Sequence, residues 1–336
     1  MLAICFALTA ALSPLAEDPP KDPGIIRVDT APVHMNPEDP SQSTVGRLTY
    51  LGGVELHSQD SRFGGFSALE LERADPDALS GGLISDSGMA GEIVIGLDER
   101  GGPQSVMLRG YPFLDDAGAP LSKARGDSEG LASHGGVIAV SFERDHRIEY
   151  YHPDTNTRAE GPKLMGLDPL DSNHGIEALA FLPDGRLLAG EESINAIGGW
   201  HPVWRFEGPS ERSGPAFEIA AAGGGFGLVG MDVTPAGNLV LLERFYLPGV
   251  GNRAAVSWLD GETAAAAEGR VQPIRLAIIE PPLTLDNFEG IAATGQSDGS
   301  TALWLISDDN FSNSQRTLLM GFTFDEAALA REAKAE

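Results

Sequence analysis

The chain has 336 residues, of which 42% are hydrophobic and 21% charged, a composition typical of a folded globular protein rather than of a disordered one. Aspartate and glutamate number 49 against 23 lysines and arginines, so the formal net charge is −26. This charge repels nucleic acids and anionic membrane surfaces, and it suits an exported protein or one that collects cations.

The N-terminal segment MLAICFALTAALSPLAEDPP is an apolar run that ends abruptly in acidic residues and prolines. The run is too short to span a membrane and matches the apolar region of a secretory signal peptide, although no Lys or Arg precedes it. We therefore predict that residues 1–16 are a cleaved signal peptide and that the protein is periplasmic or secreted. A buried first strand or a wrongly assigned start codon is the alternative. Without Cys5, the mature chain would have no disulfide, thiolate nucleophile or cysteine zinc site.

A motif recurs along the rest of the chain: a short strand, a hairpin turn that contains glycine, and a second strand that ends in an acidic residue. The turns, such as PDG at Pro183–Gly185, supply the positive φ that tight hairpins need. The five units begin at FGGFSALELE, DSEGLASHGG, HGIEALAF, GLVGMDV and NFEGIAATG.

The spacing of these units indicates a β-propeller. The motif acids Glu129, Glu177, Asp232 and Glu289 lie 48, 55 and 57 residues apart. Strand repeats of roughly 40 to 50 residues are typical of propeller blades. We predict an all-β fold with a single propeller, with six blades preferred and five as the alternative. A β-sandwich or a pair of small barrels is the structural rival.

The two ends of the chain have separate predicted roles. Residues 17–44 contain the candidate strand GIIRVDTAP, which together with RLTYLGGVEL could pair with the last repeat and complete a sixth blade. The propeller domain is expected to span residues 45–325. The tail, residues 326–336, is expected to be a helix rich in Ala, Glu and Lys, or a frayed end.

Acids at matched positions of a propeller would form rings at one end of its central channel, because the innermost strand of each blade lines that channel. One predicted ring consists of the motif acids, and the second consists of the acids at the ends of the second strands. The second ring contains Asp86, Glu143, Glu191, Glu243 and Asp308. Converging carboxylates repel one another unless a cation or an arginine neutralises them.

Oxygen ligands without cysteine favour calcium over zinc or copper. The densest local group is Asp308, Asp309 and Asn310. The predicted metal ligands are Asp86, Glu129, Glu191, Asp232, Glu243, Glu289, Asp308, Asp309 and Asn310.

Catalytic candidates lie beside these acids. Arg144, Arg244 and Arg316 follow the second-ring acids closely, and a guanidinium could either neutralise the acids or hold an anionic substrate. Glu177 and His174 are the candidates for accepting a proton, since both should lie near the channel mouth. The chain has no H-E-x-x-H motif or P-loop. The stretch GDSEG matches the G-x-S-x-G spacing, but nothing else in the sequence marks Ser67 or Ser128 as a nucleophile, so serine hydrolase chemistry is not indicated.

These stretches, together with LWLISDDNFSNSQRTLLMGF near the end, resemble the phytase-like domain, also called esterase-like activity of phytase, over about residues 45–325. The resemblance implies a propeller with a row of acids and a phosphoester or ester hydrolase activity. Met231-Asp232 departs from the Glu of the other repeats, and SDSG at Ser85–Gly88 lacks an expected basic residue. The residues it marks are Asp86, Glu129, Glu177, Glu191, Glu243, Glu289, Asp308, Asp309 and Asn310.

We therefore predict a calcium-assisted hydrolase of phosphate esters or small anionic esters, acting as a monomer without nucleic-acid or membrane partners. Catalysis is assigned to Glu177, His174, Arg244 and Arg316. The alternatives are a lactonase-type propeller that acts on an uncharged cyclic ester and a non-enzymatic binding or scaffold propeller with structural calcium.

Overall fold

The computed structural model describes residues 24–115, 117–144, 146–152, 157–165, 175–192, 199–208 and 211–334. The predicted signal peptide, Cys5 and His174 lie outside the described residues. Within the described residues, no helix is long and apolar enough to cross a membrane.

The described chain contains 26 strands and three short helices. The strands are β1 (Ile25–Ile26), β2 (Asp29–Pro32), β3 (Thr44–Val45), β4 (Leu48–His57), β5 (Phe66–Asp75), β6 (Ala78–Ser85), β7 (Met89–Leu97), β8 (Pro103–Pro112), β9 (Ser128–His134), β10 (Val137–Phe142), β11 (Arg147–His152), β12 (Thr157–Glu160), β13 (Lys163–Met165), β14 (Ile176–Phe181), β15 (Leu187–Glu191), β16 (Trp200–Phe206), β17 (Glu211–Ser213), β18 (Phe217–Ala220), β19 (Phe226–Val233), β20 (Leu239–Leu247), β21 (Gly251–Leu259), β22 (Gly269–Val271), β23 (Ile274–Ile279), β24 (Asn287–Gly295), β25 (Thr301–Asp308) and β26 (Thr317–Phe324). The helices are α1 (Lys123–Gly126), α2 (Gly261–Ala266) and α3 (Glu326–Ala333).

Apart from β13 and β17, which form a separate parallel pair, the strands of the described chain form five blades. From the axis outward, blade 1 is β5-β6-β7-β8-β1, blade 2 is β9-β10-β11-β12, and blade 3 is β14-β15-β16-β18-β22. Blade 4 is β19-β20-β21-β23, and blade 5 is β24-β25-β26-β4-β2 with β3 beside β4. The innermost strands β5, β9, β14, β19 and β24 contact one another in a closed ring. The predicted propeller is confirmed, but with five blades rather than the preferred six.

The N-terminal strands explain the difference in blade number. β4 pairs along the length of β26, from Leu56 opposite Thr317 to Thr49 opposite Thr323, so the two ends of the chain share blade 5. β2 pairs with the free edge of β4, and β1 pairs with β8 at the outer edge of blade 1. Strands β1 and β2 of the N-terminal segment lie at the outer edges of blades 1 and 5, and the ring is closed by β4. This strand completes the last repeat, which has only three strands of its own, instead of forming a sixth blade.

The hydrophobic core lies between neighbouring blades. Between blades 5 and 1, for example, Trp304 and Ile306 pack with Leu83 and Ile93. Apolar residues on both faces of each blade are buried in this way, and their removal from water is the main stabilising term of the fold. The C-terminal segment is the ordered helix α3, and its Leu329 belongs to the core beside blades 4 and 5.

Candidate functional site at the channel mouth

Each innermost strand carries a β-bulge close to its first residue. A bulge places one extra residue in the strand and changes the direction of its side chain, and bulges are frequent beside active sites. The extra residues occupy one matched position, the bulge position: Ser67, Glu129, Glu177, Val229 and Glu289. The predicted match of Asp232 with the Glu residues is wrong, because the register places Val229 there.

The second strand of each blade ends opposite a residue two positions before the bulge. In blade 2, for example, the Glu143 N–H donates to the Asp127 carbonyl at 2.8 Å. The residues at this exit position are Asp86, Glu143, Glu192, Arg244 and Asp308. The opposing residues at the entry position are Gly65, Asp127, Gly175, Gly227 and Asn287. We call the residues at the entry, bulge and exit positions the channel mouth.

The register corrects two predicted members of the second ring. Glu191 and Glu243 each lie one residue before the exit position, which Glu192 and Arg244 occupy. Successive side chains of a strand point to opposite faces, so a shift of one residue moves the side chain to the other side of the blade. Blade 4 therefore contributes an arginine where the other four blades contribute an acid.

Arg244 is the counter-ion of the blade 3 and blade 5 side of the mouth. Its Nη2 donates to Glu192 Oε1 at 3.0 Å, and its Nη1 donates to Asn287 Oδ1 at 2.9 Å and to Glu289. The Asn287 Nδ2 donates to Glu289 Oε1 at 2.9 Å. The predicted catalytic Arg244 thus holds two acids in place.

Two further cations lie on the blade 1 and blade 2 side. The Lys123 Nζ of α1 lies 2.7 Å from Asp86 Oδ2 and 3.1 Å from Asp127 Oδ1. Arg144, directly after the exit residue Glu143, donates from Nε to Asp127 Oδ2. We count Lys123 and Arg144 as part of the mouth, which with Arg244 therefore contains three basic side chains among eight acids. The acids are Asp86, Asp127, Glu129, Glu143, Glu177, Glu192, Glu289 and Asp308.

Three of these acids fit a metal ion. Asp127, Glu129 and Glu143 each offer a carboxylate oxygen within 4.8 Å of the other two. Two oxygens that both lie about 2.4 Å from one calcium ion are at most about 4.8 Å apart, so this spacing suits calcium. Beside them, the buried Asp86 Oδ1 accepts no hydrogen bond from any residue that the structure describes. A buried oxygen without a donor is what a cation would satisfy.

Four carboxyl groups of the mouth have pKa values above their ordinary range. Burial, and then the charge of Asp127, raises the pKa of Glu143 to about 7. Burial, followed by the charge of Glu289, raises the pKa of Asp308 to about 8. Burial raises the pKa of Glu289 to about 7 even beside Arg244, and it also raises the pKa of Glu129. Without a bound cation, these groups hold protons near neutral pH.

The protein backbone is unusual at the same place. Among the described residues, the non-glycine residues with positive φ are Arg144, at 59°, and Asn310 and Phe311, both at 49°. All three follow directly or closely on the exit acids Glu143 and Asp308. Left-handed backbone is unfavourable for side chains and clusters at functional sites.

An apolar layer lies beneath the mouth. Two residues beyond each bulge position, every blade contributes one buried apolar side chain to a small axial cavity, whose lining also includes Glu177 and Glu289. We call this layer the apolar floor, and it consists of Leu69, Leu131, Leu179, Met231 and Ile291. The mouth is thus a recess open on one side.

Several predicted site residues have other positions and partners. Glu243 accepts hydrogen bonds from the Ala222 N–H at 2.6 Å, from Arg275 at 2.8 Å and from His201 at 3.1 Å between blades 3 and 4. Asp232 accepts from the N–H groups of Val233 and Ala293 at 2.6 and 2.7 Å.

On the rim of blade 5, Asp309 ties this blade to blade 1, because it accepts from the Gly65 N–H at 3.0 Å. The exposed Asn310 donates its N–H to Asp308 Oδ1 at 2.6 Å. Arg316 pairs with Asp286 at 3.4 Å and with Glu55 at 3.8 Å.

Sequence reasoning missed Asp127, Glu192, Asn287 and Lys123. Counting back two residues from the motif acids Glu129 and Glu289 would have found Asp127 and Asn287, which occupy the column in which the other blades have glycine. Glu192 stands beside the predicted Glu191 and was missed by one position. The sequence carries no signal for Lys123, which reaches the mouth through the connection between blades 1 and 2.

Several solved structures are similar to this chain at low sequence identity. A candidate gluconolactonase has a TM-score of 0.42 and 11% identity, covering 90% of this chain and 97% of its own. The allergen Mala s 1 of Malassezia sympodialis has a TM-score of 0.41 and 16% identity, covering 84% and 91%. A mannose phosphorylase of Leishmania mexicana in complex with phosphate ion has a TM-score of 0.40 and 12% identity, covering 78% and 85%. A comparison with curated proteins finds no match.

The family comparison covers the part of the chain that builds the mouth. The model of the phytase-like family, described as esterase-like activity of phytase, matches residues 61–311. This range begins before β5 and ends after the exit acid Asp308, so it includes the entry, bulge and exit positions of all five blades. The chain belongs to the phytase-like family, as the sequence motifs predicted.

Proposed function

We propose that the channel mouth binds calcium and hydrolyses phosphate esters or related small anionic esters. The observation that carries this proposal is the convergence of acids from four blades on a recess that has only three basic side chains among its described residues. Such a charge excess is unfavourable unless protons or a cation balance it. Membership of a family described by esterase-like activity supports the hydrolytic reaction.

Asp127, Glu129 and Glu143 are the residues that would hold the ion. All three ligands are carboxylates, which hard cations such as calcium prefer. Bound there, calcium would neutralise the oxygens of an anionic substrate and lower the pKa of a water molecule. The orphaned Oδ1 of Asp86 lies at the same side of the mouth and supports an additional oxygen ligand.

The other mouth residues supply the remaining functions. Asp308 has a pKa of about 8 because of its burial, so it keeps a proton at neutral pH that it can donate to a leaving oxygen. Arg244 positions Glu192 and Glu289. Glu177 is the predicted proton acceptor and borders the cavity above the apolar floor. Burial, and then Glu192, raises its pKa, so it can accept a proton only when a cation bound nearby favours its ionised form.

A binding propeller is the second candidate, and two features favour it. Lys123, Arg144 and Arg244 are already paired with mouth acids, and the apolar floor closes the recess. In this case the calcium would hold the blades together without supporting a reaction.

Hydrolysis by the chelator-treated protein, with and without added calcium, separates the two candidates. The substrates are a phosphomonoester, a phosphodiester and a lactone, and the variants are Glu177→Gln and Asp308→Asn. Asp232→Asn is the matched control, because it removes a half-buried acid that lies outside the mouth. We expect calcium-dependent hydrolysis of the phosphomonoester, reduced about 10²-fold or more in the two mouth variants and unchanged in the control. Calcium that raises the thermal midpoint without hydrolysis would establish the binding propeller instead.

A further inference from the structure

The three basic side chains of the mouth differ in how much a ligand can reach them. The side chains of Lys123 and Arg144 are 51% and 50% exposed, whereas that of Arg244 is 23% exposed. Arg244 is engaged by Glu192, Asn287 and Glu289, so its charge is used inside the protein. Lys123 and Arg144 are also paired with mouth acids, but their greater exposure makes them the basic side chains of the mouth that a ligand arriving from solvent can reach.

Lys123 and Arg144 converge on one buried carboxylate. Lys123 Nζ lies 3.1 Å from Asp127 Oδ1, and Arg144 Nε donates to Asp127 Oδ2. Asp127 is also one of the three acids that fit calcium. An anion placed beside the calcium ligands would therefore face the ion and both basic side chains at once.

The local backbone holds both residues at this place. The Lys123 Nζ also donates to the carbonyl oxygen of Asp86 at 2.8 Å, which anchors it across the connection between blades 1 and 2. Arg144 has a φ of 59°, a left-handed conformation that is unfavourable for a side chain. Such a conformation persists only where the surrounding structure holds it, and it is frequent at functional sites.

We propose that Lys123 and Arg144 form an anion clamp that selects phosphate monoesters over phosphate diesters and uncharged esters. A monoester has three terminal oxygens and up to two negative charges, so it can meet the ion, the lysine ammonium and the arginine fork together. A diester has two terminal oxygens and one charge, and an uncharged ester gains nothing from the clamp. Arginine binds phosphate through its planar fork and lysine binds it as a point charge. This inference rests on the proposed function and names the substrate class of the same site.

Binding of inorganic phosphate tests the clamp without hydrolysis. Calorimetry with calcium present, below the concentrations at which calcium phosphate precipitates, compares the native protein with Lys123→Gln and Arg144→Asn. Asparagine tolerates the left-handed backbone, so the second variant keeps the local fold. Arg47→Gln is the matched control, because Arg47 is a similarly exposed arginine paired with Glu332 away from the mouth. We expect each clamp variant to bind phosphate about 10-fold more weakly or worse, and the control to bind it as the native protein does.

Calcium affinity supplies a second readout, since removing a positive charge beside Asp127 should leave it unchanged or increase it. Weaker calcium binding in both clamp variants would show a structural role and overturn the clamp. Equal phosphate affinity in all four proteins would overturn it as well. In a hydrolysis assay, the clamp variants should raise the KM for the phosphomonoester more than the KM for the diester. Phosphate binding through the clamp without hydrolysis of any ester would refute the proposed function and uphold the clamp.

Discussion

Two groups of buried carboxylates in this propeller have similar burial but different partners. Glu326 and Glu243 are 7% and 1% exposed, and the mouth acids Glu177 and Glu289 are both 9% exposed. Glu326 accepts hydrogen bonds of 2.5 to 3.1 Å from four side chains of blades 4 and 5. Glu243 accepts from a backbone N–H, His201 and Arg275. Although burial alone would raise the pKa of Glu243, these partners lower it overall.

Two of the mouth acids, Glu129 and Glu177, lack comparable donors. Glu129 and Glu177 accept no hydrogen bond from the part of the chain that the structure describes, and their strongest charged neighbours include other carboxylates, Glu289 and Glu192. The comparison teaches that burial does not distinguish a structural acid from a functional one. The donors around the carboxylate distinguish them, because an acid with its own donors stabilises the fold and an acid among acids needs a cation.

The largest expected effect comes from removing a structural acid. Glu243→Gln should lower the free energy of unfolding by about 3–5 kcal/mol, because it leaves the partners of a buried ion pair without their charge. Glu129→Gln, measured by urea denaturation in chelator, should leave the stability unchanged or raise it, because it removes repulsion. Similar losses in both variants would erase the distinction between the two groups.

Calcium should stabilise the protein through the mouth alone. At a free concentration 100 times its Kd, the ion should add about 2.7 kcal/mol, which corresponds to a rise of about 4 °C in the thermal midpoint of a chain of this length. Glu129→Gln or Glu143→Gln should remove most of this rise. Glu326→Gln should lower the metal-free thermal midpoint but show the same rise when calcium is added. A calcium response that survives both mouth substitutions would place the ion elsewhere.

A single methyl group should disturb the Arg244 side of the mouth. Gly227 stands at the entry position of blade 4, and a Cβ there would lie 2.5 Å from the Cγ of Glu192. Gly227→Ala should therefore displace Glu192 from Arg244 and cost about 1–3 kcal/mol in thermal or urea unfolding. Gly82→Ala is the control, since its Cβ would have no neighbour closer than 3.7 Å. Equal stability of the two variants would show that Glu192 is free to move.

The smallest effect is a gradual dependence on pH. The folded pKa values of Glu143, Glu289 and Asp308, at about 7, 7 and 8, exceed those of unfolded carboxyls, near 4. Between these values the folded state holds more protons on these groups than the unfolded state, so their contribution to the metal-free stability is greatest below about pH 4.5 and falls as pH rises to about 8. Calcium should reverse this trend, because it binds the ionised carboxylates. Thermal midpoints measured from pH 5 to 9, once with chelator and once with calcium, test both trends. A metal-free midpoint that rises with pH would contradict the first of them.

Much of the fold could be predicted from the sequence because each repeat is local. The five motif units coincide with the five innermost strands, since glycine turns and alternating apolar residues act over a few positions. The blade number could not be decided in this way. Whether β4 completes the last repeat or begins a new blade depends on its pairing with β26, a contact between opposite ends of the chain.

The candidate site was predicted to within one residue in most blades, and the bulges explain the misses. A bulge shifts the register by one residue, and the sequence pattern does not show where the extra residue lies. For this reason Glu191 was predicted in blade 3, where the structure has Glu192 at the exit position. In blade 4, the assumed alignment selected Asp232, whereas the bulge is at Val229. The convergence of Asp127, Lys123 and Arg144 depends on tertiary contacts between two blades.

Calorimetric titration of the chelator-treated protein with calcium at pH 8 tests the central claim most directly. We expect saturable binding by the native protein and by Asp232→Asn, and binding weakened at least about 10-fold in Glu129→Gln, which removes one charged ligand. Equal calcium affinity in all three proteins, or no binding by the native protein, would contradict the assignment of the channel mouth as a cation site.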